Sequence, residues 1–290
     1  MPDVSMPITL QHHQSAFGEW VQAAYRPSHL NDLVDSLWYF EGRLTHPQER
    51  IFPDGRVEVN VHLGGAYGEI KGDRRVTFPE VCVSGLLLRT AVVEAPPEPT
   101  TVLGIRLMPA AASTLLGQPL VEITDSTVDL NDILAGAAAE LRDRCAAAVG
   151  AEARLGVALR WLSERAALAE SRHQGTAAAV IWAAREIERR RGALSIRELR
   201  GRTGWSKSRF TTAFKEQVGV TPKCLARIVR FRHSLTLMHS GRHTLAEIAL
   251  RAAYYDQPHF NGEFGEFAGV APGEYLGGLR FPGSVNLVVK

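Results

Sequence analysis

One short residue pattern occurs twice in the last third of this 290-residue sequence. Residues 210–222 are FTTAFKEQVGVTP and residues 260–272 are FNGEFGEFAGVAP, and both fit the pattern F-x-x-x-F-x-x-x-(V/A)-G-V-x-P. Phenylalanines four positions apart lie on one side of a helix, and a glycine commonly follows its last turn. The chain therefore contains two copies of one helical unit.

The stretch before each copy predicts a shorter helix and a turn. Ser195 and Ser206 can each cap a helix, and Gly204 lies in the turn between the two helices. Residues 245–253 repeat this stretch, and one extra residue lies in the second turn, around Tyr255. Two short helices joined by a turn of this kind predict a helix-turn-helix.

We call residues 194–220 the first unit and residues 243–270 the second unit. Between them, Thr221 and Pro222 predict the start of a helix that runs to Gly241. About 19 residues at 1.5 Å each span roughly 28 Å. Such a helix can place two recognition helices near successive major grooves, about 34 Å apart, so the repeat predicts a tandem DNA-binding domain.

The second helix of the first unit is predicted to have one apolar face and one polar, basic face. Phe210, Phe214 and Val218 recur at every fourth position, which predicts that they are buried. The opposite face has short polar and basic side chains, which suit a major groove. DNA contacts are predicted there from Lys207, Ser208, Arg209, Thr211, Thr212 and Lys215. In the second unit they are predicted from Gln257, His259 and Asn261.

The formal net charge of +2 divides unevenly along the chain. Residues 171–280 hold 18 Lys and Arg against 9 Asp and Glu, whereas the remainder holds 15 against 22. The C-terminal part is therefore the part expected to contact a polyanion, double-stranded DNA. Within it, residues 176–240 have a net charge of +10 and residues 241–280 have one of −2. The two units are thus predicted to share a frame and to differ in charge.

The N-terminal part predicts a different kind of fold. Residues 35–107 contain short runs of alternating β-branched and aromatic residues, separated by turns rich in Gly, Pro and Asp. Amphipathic helices are predicted at 129–148 and 152–169. The predicted fold class is α+β: a small β-barrel or cupin-like N-terminal domain with helices, followed by an all-α tandem helix-turn-helix domain.

A domain boundary is predicted at the polar residues 170–176. It gives an N-terminal domain at 1–170, a DNA-binding domain at 171–280 and a tail at 281–290. A small barrel can enclose a ligand between apolar walls and a few polar groups. The predicted ligand-binding residues are Trp38, Phe40, Phe52, Asn60, His62 and Arg106, although the same side chains could fill a core or face solvent.

Neither enzyme motifs nor cofactor-binding motifs occur in the sequence, so we expect no enzymatic activity, no cofactor and no metal. The histidines lack the H-x-H spacing of a cupin metal site. Cys82, Cys145 and Cys224 are widely scattered and are expected to be reduced thiols. The sequence has no membrane-spanning apolar run and no secretory signal, which predicts a cytoplasmic protein.

Two long stretches, LSIRELRGRTGWSKSRFTTAFKEQVGVTP and TLAEIALRAAYYDQPHFNGEFGEFAGVAP, resemble the DNA-binding domain of the AraC/XylS family of transcriptional regulators. The N-terminal stretches SLWYFEG, IFPDGRVEVNVHLG and LGIRLMPAAASTLLG resemble a domain of unknown function that is often fused to such regulators. The resemblance implies a bacterial regulator, often a homodimer, with an N-terminal sensory or dimerising domain. A sequence-specific transcription regulator that responds to a small molecule is therefore the expected function.

The second unit departs from the family pattern. Family members usually have basic residues at the positions of Gly262 and Gly265, and glycine at the position of Ala253. Glu263 and Glu266 are expected to repel DNA phosphates. The second unit is therefore predicted to contribute little to the affinity for DNA.

Three other functions fit parts of the sequence. The N-terminal domain could modify a small molecule or accept alkyl groups in DNA repair, which needs an activated cysteine. The chain could bind nucleic acid without sequence preference, although the capped recognition helices argue against this. The two units could also be helical repeats that never contact DNA.

Overall fold

The structure, a computed structural model, describes residues 8–30, 32–170, 176–280 and 284–289. The strands are β1 (Gln11–Ser15), β2 (Gly18–Tyr25), β3 (Val34–Leu44), β4 (Gln48–Ile51), β5 (Val57–His62), β6 (Gly68–Lys71), β7 (Arg74–Thr77), β8 (Val81–Ser84), β9 (Ala91–Glu94), β10 (Thr100–Leu107), β11 (Thr127–Asp129) and β12 (Leu287–Val288). The α-helices are α1 (Pro109–Leu116), α2 (Ala137–Ala147), α3 (Ala151–Glu170), α4 (Thr176–Arg189), α5 (Ile196–Gly201), α6 (Lys207–Val218), α7 (Pro222–His239), α8 (Leu245–Arg251), α9 (Gln257–Ala268) and α10 (Pro272–Gly277). Within these residues, no helix is both long and apolar enough to cross a membrane.

The strands form two antiparallel sheets. One has the order β1-β2-β3-β10-β5-β8-β11 and the other has the order β12-β4-β9-β6-β7. Strand β5 shows why one face of the larger sheet is buried: Val57, Val59 and Val61 are buried, whereas Glu58 and Asn60 between them are half-buried. The apolar face packs against α1, α2 and α3. The strands predicted within 35–107 are confirmed, and β1 and β2 precede them.

The helix predicted at 129–148 begins later than its sequence pattern indicates. Asp129 instead caps a single 3-10 turn, since its carboxylate accepts from the backbone N–H of Asn131 at 2.8 Å. Gly136 then has a φ of 78°, which interrupts the α conformation just before α2. The prediction of one helix from residue 129 is therefore wrong, whereas the helix predicted at 152–169 is confirmed as α3.

The helices of the first unit and helix α7 begin at the predicted caps. The hydroxyls of Ser195 and Ser206 each accept a hydrogen bond from a backbone N–H three residues later, at 3.3 Å. Thr221 caps α7 in the same way at 3.2 Å. Gly219, at φ 87°, ends α6, and Gly269, at φ 67°, ends α9. Both helix-turn-helix units are thus confirmed.

The hydrophobic side chains form two large cores. The first runs from the barrel through α1 into the first unit, so that Leu103, Leu115, Phe210 and Phe214 belong to one buried cluster. The second core lies between α7, α8, α9 and α10 and contains Phe264. The first unit therefore shares the large core of the N-terminal part, whereas the second unit has a separate core, to which Phe52 of the N-terminal part also belongs.

A short C-terminal strand connects the second unit to the barrel. In β12, Leu287 pairs with Arg50 of β4, and Val288 packs against Trp20 of β2. Asn286 donates to a Glu49 carboxylate oxygen at 3.2 Å. Part of the expected tail, residues 284–289, therefore lies along the smaller sheet, while the predicted boundary at 171–175 falls outside the described residues.

A buried ionic group also joins the two halves of the chain. Arg56, in the loop before β5, pairs with Glu188 of α4 at 2.7 Å and with Asp35 of β3 at 3.1 Å. Arg232 of α7 binds the same Glu188 and donates to the Asp54 carbonyl at 2.7 Å. Each buried charge thus has an opposite charge beside it, as burial requires.

Candidate nucleic-acid interface

The recognition helix of the first unit is α6. Phe210, Phe214 and Val218 are almost completely buried on its inner face, as predicted. Lys207, Ser208, Arg209, Thr212 and Lys215 are exposed, and Thr211 is half-buried. All six predicted DNA-binding residues of this helix are therefore at least partly accessible, and Ser208, Thr211, Thr212 and Lys215 share one face.

The basic side chains of α6 are available to an anion. In the described parts of the chain, no carboxylate lies within ion-pair distance of Lys207, Arg209 or Lys215. The Arg209 guanidinium lies over the Trp205 ring, 4.4 Å from its centroid. Because stacking on an aromatic ring restricts an arginine without neutralising it, Arg209 is held with its charge free.

The recognition helix of the second unit is α9. Asp256 caps it by accepting from the His259 backbone N–H at 2.8 Å. His259 and Asn261 are exposed, and Gln257 is half-buried. The outer face between them is open, because a Cβ at Gly262 would meet no atom within 4 Å. This face thus has polar groups for DNA but no basic side chain.

The glutamates of α9 do not share one exposed face. Glu263 is 6% exposed and points towards α7. Its carboxylate accepts from Arg227 Nε at 2.7 Å and from Arg230 Nη2 at 2.7 Å. Glu266 also binds Arg227. The expectation that both glutamates face DNA is therefore wrong for Glu263, which precedes the buried Phe264 and lies on the inner edge of the helix.

The charge on Glu263 is maintained despite its burial. Burial opposes its ionisation, but hydrogen bonds and charges from Arg227 and Arg230 outweigh this and lower the pKa of Glu263. Both arginines stack on aromatic rings: Arg230 lies 4.5 Å from the ring centroid of Tyr254, and Arg227 lies 5.1 Å from that of Phe267. The sequence did not predict this cluster, because its charged partners are more than 30 residues apart.

Two family models match the sequence. Residues 24–129 match a domain of unknown function (DUF6597), and residues 199–278 match the model described as "Helix-turn-helix domain". The second match covers the first unit from Leu199 onwards, the whole second unit and helix α7 between them. Residues 199–278 are an AraC-type helix-turn-helix domain. The protein is therefore a DNA-binding transcription regulator that combines this domain with an N-terminal β domain.

Two solved structures that are similar to this chain over most of its length have low sequence identity to it. ToxT from Vibrio cholerae O395 is 14% identical, with 79% of this chain and 95% of that chain covered and a TM-score of 0.41. The AraC-like transcriptional activator CuxR is 15% identical, with 81% and 86% covered and a TM-score of 0.30. No curated protein matches the sequence significantly. TM-scores this low carry no inference about this chain.

Five of the six predicted ligand-binding residues lie on one face of the larger sheet. Gly104 of β10 is the cross-strand partner of both Trp38 and Asn60. Phe40, His62 and Arg106 follow at alternate positions of the same three strands. Trp38 Nε1 donates to Glu58 at 2.5 Å, and burial raises the pKa of Glu58 to about 7. This face thus combines aromatic and polar side chains, as a ligand site requires.

Phe52 does not belong to that face. Its ring centroid lies 5.7 Å from that of Tyr275 and 6.2 Å from that of Phe231, in the core of the second unit. The prediction of Phe52 as a ligand-binding residue is therefore wrong. Phe52 follows β4, which lies between β12 and β9 in the smaller sheet, and the helices of the second unit cover it. Arg106 forms an ion pair with Asp54 at the same end of the barrel.

The cysteines do not have the properties of alkyl acceptors. Burial raises the pKa of Cys82 to about 12 and that of Cys145 to about 11. Burial also raises the pKa of Cys224. A reactive thiol needs a lowered pKa, so these shifts disfavour the DNA-repair alternative. The described residues contain no group of His, Cys, Asp and Glu side chains that could hold a metal ion.

Proposed function

We propose that this AraC-type regulator recognises specific DNA mainly through its first unit, with α6 in the major groove. The observation that carries the proposal is the unpaired basic face of α6. Lys207, Arg209 and Lys215 would contact phosphates or guanine edges. Ser208, Thr211 and Thr212 would contact base edges.

The second unit has a secondary role in this proposal. Gln257, His259 and Asn261 can each hydrogen-bond a base or a phosphate. A bidentate contact to a base is worth about 1 to 3 kcal/mol, and Gly262 offers none. We therefore expect α9 to add weak contacts beside a strong site on the first unit.

Single substitutions on α6 test this assignment. Lys215→Ala should weaken binding to all duplexes and reduce the slope of log affinity against log salt by about one ion. Thr212→Ala should instead change which sequences are preferred. Lys71→Ala removes an exposed lysine from the barrel and serves as the matched control, with no expected effect. An unchanged salt slope in Lys215→Ala argues against a phosphate contact there.

The N-terminal domain is proposed to sense a small molecule in the cytoplasm. Support comes from the sheet face that holds Trp38, Asn60 and His62, since aromatic walls with few polar groups suit small ligands. A thermal-shift screen of a metabolite library tests this. A hit should raise the melting temperature of the wild-type chain and should not raise that of Trp38→Ala. Equal shifts in both would place the ligand elsewhere.

We also propose that the regulator forms a homodimer. The apolar faces of α2 and α3 pack within the chain, since Leu141 and Leu155 belong to the first core. A dimer contact must therefore use other surfaces, such as the edge strands β1 and β7. Sedimentation of the full chain at micromolar concentration tests this proposal. A single species with the mass of a monomer, 31.8 kDa, contradicts it.

A further inference from the structure

Helix α7 carries a row of basic side chains beside the second recognition helix. Lys223, Arg227 and Arg230 recur at spacings of four and three residues, which places them on one side of the helix. Lys223 is exposed, the Arg227 side chain is 28% exposed and the Arg230 side chain is 17% exposed. Guanidinium groups bind carboxylates and phosphates with the same bidentate geometry, so this row has the chemistry of an oxyanion site.

A carboxylate of the second unit already occupies that site. Arg230 Nη2 lies 2.7 Å and 2.8 Å from the two carboxylate oxygens of Glu263, and Arg230 Nε lies 3.1 Å from one of them. Arg227 Nε donates to the other oxygen at 2.7 Å. Two guanidinium groups thus converge on one oxyanion.

The convergence is held by the surrounding aromatic side chains. Tyr254 and Phe267 stack on the two guanidinium groups, and both rings are almost fully buried. Stacking and packing of this kind fix an arginine in one orientation before any anion arrives. The geometry for binding an oxyanion is therefore built into the fold and does not depend on a mobile surface side chain.

The two glutamates differ in how easily another anion can replace them beside Arg227 and Arg230. Glu263 is buried, so removing it from the arginines would leave charges unpaired in the interior. Glu266 is 58% exposed and binds the outer edge of Arg227. An exposed ion pair contributes only about 0 to 1 kcal/mol, so another anion can replace Glu266.

We propose that Arg227 and Arg230 form a binding site for a backbone phosphate of DNA, which Glu263 and Glu266 keep closed. The proposal rests on the proposed DNA-binding function and explains the weak second unit by competition within the chain. The site lies between α7 and α9, and in this proposal a duplex that contacts the second unit places a phosphate there. While the glutamates stay paired they occupy and neutralise both guanidinium groups, so a phosphate gains no net attraction at this site.

Neutralising the two glutamates tests the proposal. The double variant Glu263→Gln with Glu266→Gln keeps side-chain size but removes both charges and replaces one acceptor oxygen of each side chain with a donor nitrogen. Its affinity is measured for a duplex selected from a random library by the wild-type chain, between about 50 mM and about 200 mM salt. We expect affinity at low salt to rise about tenfold, and the salt slope to steepen by about one to two ions.

A matched control separates the site from a general change in charge. Glu152→Gln with Glu274→Gln removes two exposed carboxylates elsewhere and changes the net charge equally. This control should alter the salt slope by less than about half an ion. Adding Arg230→Ala to the test variant should abolish the gain in affinity, because the phosphate loses its main ligand.

Three results would overturn the proposal. The first is a salt slope of the double glutamine variant that equals the slope of the control. The second is a gain in affinity that persists after Arg230→Ala is added. The third is a folded double variant with lower affinity than the wild-type chain and an unchanged salt slope. If the double variant does not fold, the surface variant Glu266→Gln alone should steepen the slope by about one ion, and no steepening contradicts the site. Lys215→Ala tests the first unit independently, so failure of one idea is distinguishable from failure of the other.

Discussion

The two helix-turn-helix units have the same skeleton and opposite electrostatics. Each recognition helix begins at a side-chain cap, ends at a glycine with positive φ and buries two phenylalanines four residues apart. The first unit, however, leaves its basic side chains exposed, whereas the second uses its carboxylates to hold Arg227 and Arg230 of α7. The two units therefore share the buried frame and differ in the charges at their remaining positions.

The turns of the two units also differ, in how well the residue type suits the left-handed backbone conformation. Gly204 has a φ of 69° in the first turn, and Ala253 has a φ of 59° in the second. The left-handed conformation costs an L-residue roughly 1 to 2 kcal/mol, and glycine escapes this cost. The second unit thus retains a backbone geometry for which its sequence is less well suited.

The largest expected effect comes from deleting one frame phenylalanine in each unit. Phe214→Ala and Phe264→Ala should each lower the free energy of unfolding by about 3 to 5 kcal/mol, because both rings are fully buried. At a low temperature, at which both variants stay folded, only Phe214→Ala should abolish DNA binding, because this substitution disturbs α6. Urea unfolding and mobility shifts measure the two effects. Loss of binding in a folded Phe264→Ala chain would show that the second unit is essential.

The next largest loss of stability is expected from a substitution in the C-terminal strand β12, and it should be confined to the second unit. Leu287→Ala removes a buried side chain from the second core and should cost about 2 to 4 kcal/mol locally. Hydrogen exchange should then accelerate in β4 and α10 and remain unchanged in α6. Val285→Ala is the matched control, because that side chain is 41% exposed. Equal acceleration in α6 would contradict the separation into two cores.

Restoring a basic residue on α9 should strengthen DNA binding. Gly262→Arg places its Cβ in open space on the outer face, because a Cβ there meets no atom outside its own helix within 4 Å. If this face lies on DNA, affinity should rise about tenfold, equal to about 1.4 kcal/mol. Lys223→Arg, which conserves charge on α7, is a control with no expected gain. An unchanged affinity for Gly262→Arg would mean that α9 does not approach the duplex.

Exchanging the turn residues should give the smallest effect. Ala253→Gly relieves the left-handed strain and should stabilise the second unit by about 1 kcal/mol. Gly204→Ala should destabilise the first unit by a similar amount, because it introduces strain without a clash. Thermal unfolding measures both changes. Destabilisation by Ala253→Gly would show that chain entropy outweighs the strain.

The sequence predicted the parts of the fold that depend on neighbouring residues. The caps at Ser195, Ser206 and Thr221 and the buried phenylalanines follow from spacings of three and four residues, and these are confirmed. Leu245, which was also predicted to be buried, is only partly buried. The alternating strands are local patterns of the same kind. Local patterns also predicted the tandem arrangement of the units.

Long-range contacts were not predictable in the same way. Glu263 and Arg227 are 36 residues apart, and no periodicity connects them. Phe52 reaches Tyr275 because the AraC-type domain packs over the barrel edge, and that packing is visible only in three dimensions. An apolar residue next to a strand has several possible partners, and so has a glutamate in a recognition helix. Residue type alone therefore cannot determine which of these partners is contacted.

A hydroxyl-radical footprint tests the central claim most directly. The wild-type chain is bound to a duplex selected from a random library, and protection of the DNA backbone is mapped along both strands. We expect strong protection of the DNA backbone where the first unit binds the groove. We expect weak protection about one helical turn away, where the second unit would lie. Equal protection of two segments, at both low and high salt, would contradict this claim.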